Sequence, residues 1–194
     1  MKLAGLFRAV AEVFDGPLDI ERHAREALLE TADRAFYDGP HTPLPDVFLT
    51  EMAAENAHPA CAEVARARLF WAPPETSQDP AYIEHSRPKV HVELIGPEGI
   101  VPHDRVRLGL YGMLPHAEYG LRTHPAEEVF VMMAGRAWWK RGTAEYAPEG
   151  PGGRSYHPSM LPHANKTEAD VLMSAYVWFG DVSRDGYDYQ GIPT

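Results

Sequence analysis

Two residue types that bind divalent metals stand four positions apart in RTHPAEEVFVMMAG, the stretch Arg122–Gly135: His124 and Glu128. Imidazole nitrogen and carboxylate oxygen together suit Zn, Fe, Mn or Ni. The run after Glu128 reads as a β-strand, in which residues of equal parity share a face. If Arg122–Met132 is extended throughout, Arg122, His124, Glu128 and Phe130 point the same way. A histidine and a carboxylate buried together are costly unless paired or ligated. A third ligand is expected in HPSMLPHAN (His157–Asn165), where His163 stands in a turn bracketed by prolines that fix the chain. Two histidines and one carboxylate leave open coordination positions for substrate or water. His116, Tyr119 and His157 are the alternatives for a fourth ligand.

Each of these residues also has a plainer reading. A lone His-x3-Glu pair is more often a surface feature, and a histidine after proline often only closes a turn. His23, His41, His58, His85, His91 and His103 are expected as ordinary surface or packing residues. Trp138, Trp139, Tyr176 and Trp178 read as strand core aromatics, and Arg122 as solvated or salt-bridged.

The elements that must position these residues change character along the chain. Residues 1–86 read as helix. Leu3, Leu6, Phe7, Val10, Val13 and Phe14 form one apolar stripe, ended by Gly16 and Pro17. A second helix is expected from Ile20 to Tyr37. A third helical region is expected from Asp46 to Trp71, broken near His58-Pro59, before the connector APPETSQDP. Residues 87–194 read as strand. Lys89–Ile95, Arg105–Tyr111, Val129–Met133, Ala137–Lys140 and Val171–Phe179 are the strand segments, separated by Gly/Pro turns, and Ala147–Gly153 reads as a loop. Short strands so punctuated suggest an antiparallel sandwich or small barrel.

Bulk properties narrow the function classes. A formal net charge of −10 with no Lys/Arg-rich run disfavours nucleic acid and anionic membranes as partners. The single cysteine, Cys61, rules out an intramolecular disulfide and a thiolate-rich zinc site, and a reduced cytoplasmic protein is expected. Arg8 and Glu12 interrupt the apolar N-terminal run, so it does not read as a signal peptide. With 194 residues the chain can form one domain with a substantial core, or one core plus an accessory segment.

The second half resembles a cupin. His124, Glu128 and Gly135 match the spacing of the first cupin motif, and Pro158 and His163 match the second, with Met160 where a glycine is usual. HPAEEVFVMMAGRAWWKRG, HPSMLPHA and YVWFGD resemble, more narrowly, the cupin-type dimethylsulfoniopropionate (DMSP) lyases of the DddQ, DddL and DddW group. The resemblance implies a mainly β fold with α: a C-terminal double-stranded β-helix, or jelly-roll, after an N-terminal helical segment. It implies one divalent ion on His124, Glu128 and His163. It gives Tyr119 a role in the site. Two positions depart from the family pattern: Arg122 stands in a histidine slot and Phe130 in a tyrosine slot.

The activity so implied is β-elimination of DMSP to dimethyl sulfide and acrylate, with Tyr119 as base. A small anionic or zwitterionic substrate is expected, with Arg122, Phe130, Trp138, Tyr176 and Trp178 as the residues that bind it. The alternatives are a related enzyme acting on another small carboxylate (an oxygenase, isomerase or hydrolase) and a non-catalytic metal-binding cupin. Helices before a cupin also occur in zinc-dependent anti-sigma factors, but Cys61 alone cannot supply their zinc site. The amphipathic helices must cover their apolar stripes. Packing on the barrel, a dimer contact or a lid over its mouth would each do so, and a homodimer is expected.

Overall fold

The computed structural model describes residues 1–193. Its helices are α1 (Ala4–Ala11), α2 (Asp19–Thr31), α3 (Asp46–Met52), α4 (Cys61–Arg66) and α5 (Pro80–Ser86). The stripe on α1 buries Leu6, Phe7 and Val10. The second helix stops at Thr31, short of the expected Tyr37. A 3-10 turn follows at Ala32–Arg34, and Phe36 then pairs with Lys2 in an antiparallel bridge. Here backbone pairing across the chain outweighs local periodicity. The third region is two short helices. Their break near His58-Pro59 coincides with a long-range bond, in which the His58 N–H donates to the Met133 carbonyl at 2.7 Å. The connector ends in a helix instead of a loop: Pro80 opens α5, and the Asp79 carboxylate accepts from the Ala81 and Tyr82 N–H groups. No helix among the described residues is long and apolar enough to cross a membrane.

Eleven strands follow among the described residues: β1 (Lys89–Gly96), β2 (Val101–Pro102), β3 (Val106–Met113), β4 (Glu118–Thr123), β5 (Glu127–Gly135), β6 (Ala137–Arg141), β7 (Ala147–Glu149), β8 (Arg154–His157), β9 (His163–Lys166), β10 (Leu172–Phe179) and β11 (Asp188–Gly191). They form two sheets, ordered β2-β1-β3-β10-β5-β8 and β11-β4-β9-β6-β7. Without the edge strands, β3-β10-β5-β8 faces β4-β9-β6-β7. That is the double-stranded β-helix of cupins, closed by antiparallel pairing of the first strand with the last.

The larger sheet is buried on both faces. On one face, Val129, Val131 and Val177 pack with Phe7, Phe14, Leu28 and Phe48 of the helical layer. On the other, Phe130, Met132, Tyr176 and Trp178 pack with Trp139 inside the barrel. All eight residues of β3 are buried as a result.

Two expectations need correction. Arg122–Met132 is not one strand: β4 ends at Thr123 in one sheet and β5 begins at Glu127 in the other, so the chain changes sheet across His124–Ala126. Ala147–Gly153 is not wholly loop, because Ala147–Glu149 pairs with β6.

The two motif glycine positions both have left-handed backbone. Gly135 has φ +70, and a Cβ there would run into the Val171 carbonyl. Met160 has φ +61 with its side chain half exposed, so the residue this chain carries in place of the usual glycine is strained. That conformation costs an L-residue about 1–2 kcal/mol, of which glycine's extra unfolded-chain entropy cancels about 0.5–1. Met160→Gly is therefore expected to stabilise the protein by about 0.5–1 kcal/mol, and Gly135→Ala to cost about 2–4 kcal/mol. Urea denaturation of the two variants measures both.

Candidate metal centre and its cavity

The crossing between sheets places His124 at the interior end of the barrel, beside Glu128 on β5 and His163 at the start of β9. All three are buried, and each offers a ligand atom within 4.8 Å of the other two. The backbone sets the tautomers of both histidines. His124 Nδ1 donates to the Ala126 carbonyl at 3.0 Å, and His163 Nδ1 to the Leu161 carbonyl at 2.8 Å. Each Nε2 then carries a lone pair. Both Nε2 atoms are buried without a hydrogen-bond partner, and they lie 3.4 and 3.0 Å from the same Glu128 Oε2. Three acceptors facing one another are satisfied by a shared cation, so the residues present fit a divalent metal. The turn at Met160 ties the two ligand segments together, its N–H donating to the His124 carbonyl at 2.9 Å.

Glu128 is held from behind. The Trp178 indole N–H donates to Oε1, and His157 Nδ1 donates to Oε2 at 2.9 Å. His157 Nε2 accepts from the Ser155 hydroxyl, which in turn accepts from Arg141. Burial pushes the Glu128 carboxyl up, but its contacts with His124, His157 and His163 outweigh this and hold it well below the usual carboxylate range. Burial drives His163 well below the ordinary imidazole value, and His157 down to about 4. His157 thus orients the carboxylate and stands outside the three-ligand set. His116 and Tyr119 do not supply a fourth ligand either. His116 is exposed in a left-handed turn, and the Tyr119 hydroxyl pairs with that of Tyr187 at 2.8 Å.

A cavity of about 570 Å³ opens onto Glu128. Arg122, Tyr119, Phe130, Tyr176 and Trp178 line it, and half-exposed Phe36 and Phe70 from the N-terminal part of the chain stand at its rim. Trp138 is not among its walls. Strand alternation turns Trp138 outward, and Trp139 instead packs 4.8 Å from Phe130 and 5.5 Å from His157.

Arg122 is neither solvated nor salt-bridged. It is 1% exposed, its guanidinium lies 3.7 Å over the Tyr119 ring, and it donates to Asn165 Oδ1 and the Gly120 carbonyl. Burial raises the Tyr119 hydroxyl well above the usual phenol value, with Tyr187 and Tyr82 adding to the effect. Arg122 opposes it only in part, so the phenolate is not favoured by these residues alone.

Sequence reasoning missed the polar face of β1. Lys89, His91 and Glu93 share a parity that faces inward, because the helical layer covers Val92 on the other side. His91 accepts from the Tyr176 hydroxyl at 2.7 Å, and burial lowers it to about 3. Buried Lys89 sits 4.5 Å over the Tyr119 ring, and burial, with Arg122 adding, brings it down to about 6. The signal is present in the KVHVEL alternation, but alternation alone does not tell which parity faces inward.

The family model of DMSP lyase matches residues 45–173. The DMSP lyase DddQ of Ruegeria pomeroyi is 33% identical over 89 residues, which is 46% of this chain and 44% of that protein, so the match spans less than half of this relative. Among solved structures, a chain from the crystal structures of the DMSP lyases RdDddP and RnDddQII superposes with a TM-score of 0.70 at 21% identity, over 97% of each chain. The crystal structure of DddQ from Ruegeria pomeroyi gives a TM-score of 0.64 at 21% identity, over 96% of each. At that identity the two structures speak to the fold.

Two outcomes are expected from this geometry. His124→Ala or His163→Ala abolishes stoichiometric binding of a divalent metal, measured by metal analysis and calorimetry, whereas His157→Ala weakens it about 10–100-fold. His91 and His157 stay neutral when folded but take up protons near pH 6.5 when unfolded. Their contribution to stability is therefore complete above about pH 6.5 and is lost as pH falls toward 4. The urea midpoint of the metal-free protein is expected to drop between pH 7.5 and 5.

Proposed function

The chain belongs to the DMSP lyase family, and on that premise we propose that it cleaves DMSP to dimethyl sulfide and acrylate by metal-assisted β-elimination. The observation that carries this reading is the convergence of the His124, His163 and Glu128 acceptors at the end of a cavity lined by aromatic rings. One divalent ion, Zn, Fe, Mn or Ni, would be held by these three side chains. When bound it supplies Lewis acidity toward the substrate carboxylate, against which enolate-like charge develops.

The chain's own residues do the rest. Tyr119 is the proposed base for the proton α to the carboxylate. The C–H electron pair becomes the new C=C bond, and the C–S pair leaves with sulfur as dimethyl sulfide. The Arg122 guanidinium over the Tyr119 ring lowers part of the cost of the phenolate that must accept this proton, and a bound divalent ion would lower more of it. Trp178, Tyr176 and Phe130 offer ring faces to the sulfonium, each contributing about 0.5–2 kcal/mol. Phe130, in the tyrosine slot, can only shape the site, since a phenyl ring neither ligates nor takes a proton. Assembly as a homodimer and a cytoplasmic setting belong to the same reading; the buried free thiol of Cys61 fits a reducing compartment.

A second reading has its own support. Arg122 is buried beside the ligand set, and two histidines with one carboxylate also serve oxygenases. Another small carboxylate would then be the substrate.

Metal-loaded protein incubated with DMSP is expected to release dimethyl sulfide, detected by gas chromatography, and His163→Ala to release none. Tyr119→Phe, with its metal content intact, should be slower by about 10²–10⁴-fold. Equal release by that variant moves the base elsewhere, first to Tyr176, whose hydroxyl already has an imidazole acceptor in His91. No release with any of the four metals overturns the lyase reading in favour of the second.

A further inference from the structure

Among the described residues, the buried and half-buried arginines are paired with carboxylates, with one exception. Arg107 is paired with Glu93 and Glu98, Arg141 with Glu149, and Arg154 with Glu21 and Asp15. Arg122 is more deeply buried than any of them, yet among the described residues no carboxylate lies within 4.0 Å of it. A guanidinium keeps its charge at any ordinary pH, and leaving one buried without an anion is strongly unfavourable. The chain carries a net charge of −10 and has acids to spare. The contacts to Gly120 and Asn165 use two of the five N–H donors. Glu128, the nearby acid on the same cavity, has its oxygens held by the Trp178 N–H and His157, and its Oε2 faces the His124 and His163 lone pairs, where a metal would sit. Arg122 also lines the cavity, where a ligand can reach it.

We propose that Arg122 is a carboxylate receptor, so that the cavity binds small monocarboxylate anions through this residue whether or not a metal is present. The proposal rests on the same cavity as the lyase reading and deepens it by naming the anchor. A planar guanidinium meets a carboxylate through two parallel hydrogen bonds. Because the guanidinium is stacked 3.7 Å over the Tyr119 ring, a carboxylate held there brings its α-carbon alongside Tyr119. The position that carries a histidine in the family pattern then serves the substrate instead of the metal. Acrylate, a carboxylate product, is expected to occupy the same place and inhibit.

Binding of acrylate and propionate to the purified protein, before and after chelation, tests this by calorimetry and thermal shift. Saturable binding that survives chelation is expected. Arg122→Gln should lose at least tenfold in affinity, and Arg122→Lys, a charge without the planar fork, should fall between. Unchanged affinity in Arg122→Gln overturns the proposal. Should the variants not fold, the parent still decides: propionamide or trimethylsulfonium protecting the chelated protein as well as propionate overturns it, and protection by propionate alone supports it. None of these readouts needs turnover. Arg122-dependent binding without release of dimethyl sulfide would refute the lyase reading and keep this one. Dimethyl sulfide release with unchanged KM in Arg122→Gln would do the reverse.

Discussion

A carboxylate in the interior of a β-barrel must be compensated, and in this protein the rest of the arrangement follows from how Glu128 is compensated. The Trp178 N–H and His157 hold it from β10 and β8, the strands that flank β5. His124 and His163 approach from outside that sheet, each with its N–H turned to backbone and its lone pair turned to the carboxylate. Backbone and side-chain hydrogen bonds thus fix the directions of all three acceptors. Preorganisation of this kind is what makes a site selective in geometry, although affinity order and metal availability choose among the ions.

The jelly-roll supplies the directions from which these groups come. Because consecutive strands trade sheets, a loop of three residues can carry His124 from one wall to the other while Glu128 stays on β5. The helical layer contributes indirectly. By burying the outer face of the larger sheet, it makes the parity of Phe130, Tyr176 and Trp178 the interior one, and it leaves the polar parity of β1 facing the cavity. The N-terminal part also brings Phe36 and Phe70 to the rim, so the access route is built from both halves of the chain.

What could be read from sequence divides along the same physical line. Long apolar strands such as Leu172–Phe179, and the stripe on α1, announce themselves through local periodicity. Of the strands that carry the site, β5 and β10 are marked by apolar runs, but β4, β8 and β9 are short and interrupted by Arg, His or Asn, so no hydrophobic pattern marks these three. His124, Glu128 and His163, which the structure brings together, are nevertheless singled out in sequence by donor chemistry and motif spacing. The parity argument for His124 was mistaken, since that residue lies in a crossing and not in a strand. Trp138 and Trp139 are adjacent, and only the register of β6 against β9 tells which one turns inward. Partners distant in sequence, such as His91 with Tyr176 and Arg122 with Asn165, are set by tertiary contact alone.

The central place of β10 has a consequence for how the protein is made. That strand lies between β3 and β5 in the larger sheet, pairing Val106 with Phe179 and Glu128 with Trp178. Pairings of such sequence separation form late and slowly, because loop closure must precede any contact. During synthesis the helical layer emerges before the strands and has no completed sheet to dock on. The barrel interior likewise lacks its central wall until β10 has left the ribosome. Nascent chains therefore hold unburied apolar surface longest where the cavity will form, and the cavity comes into being together with the fold.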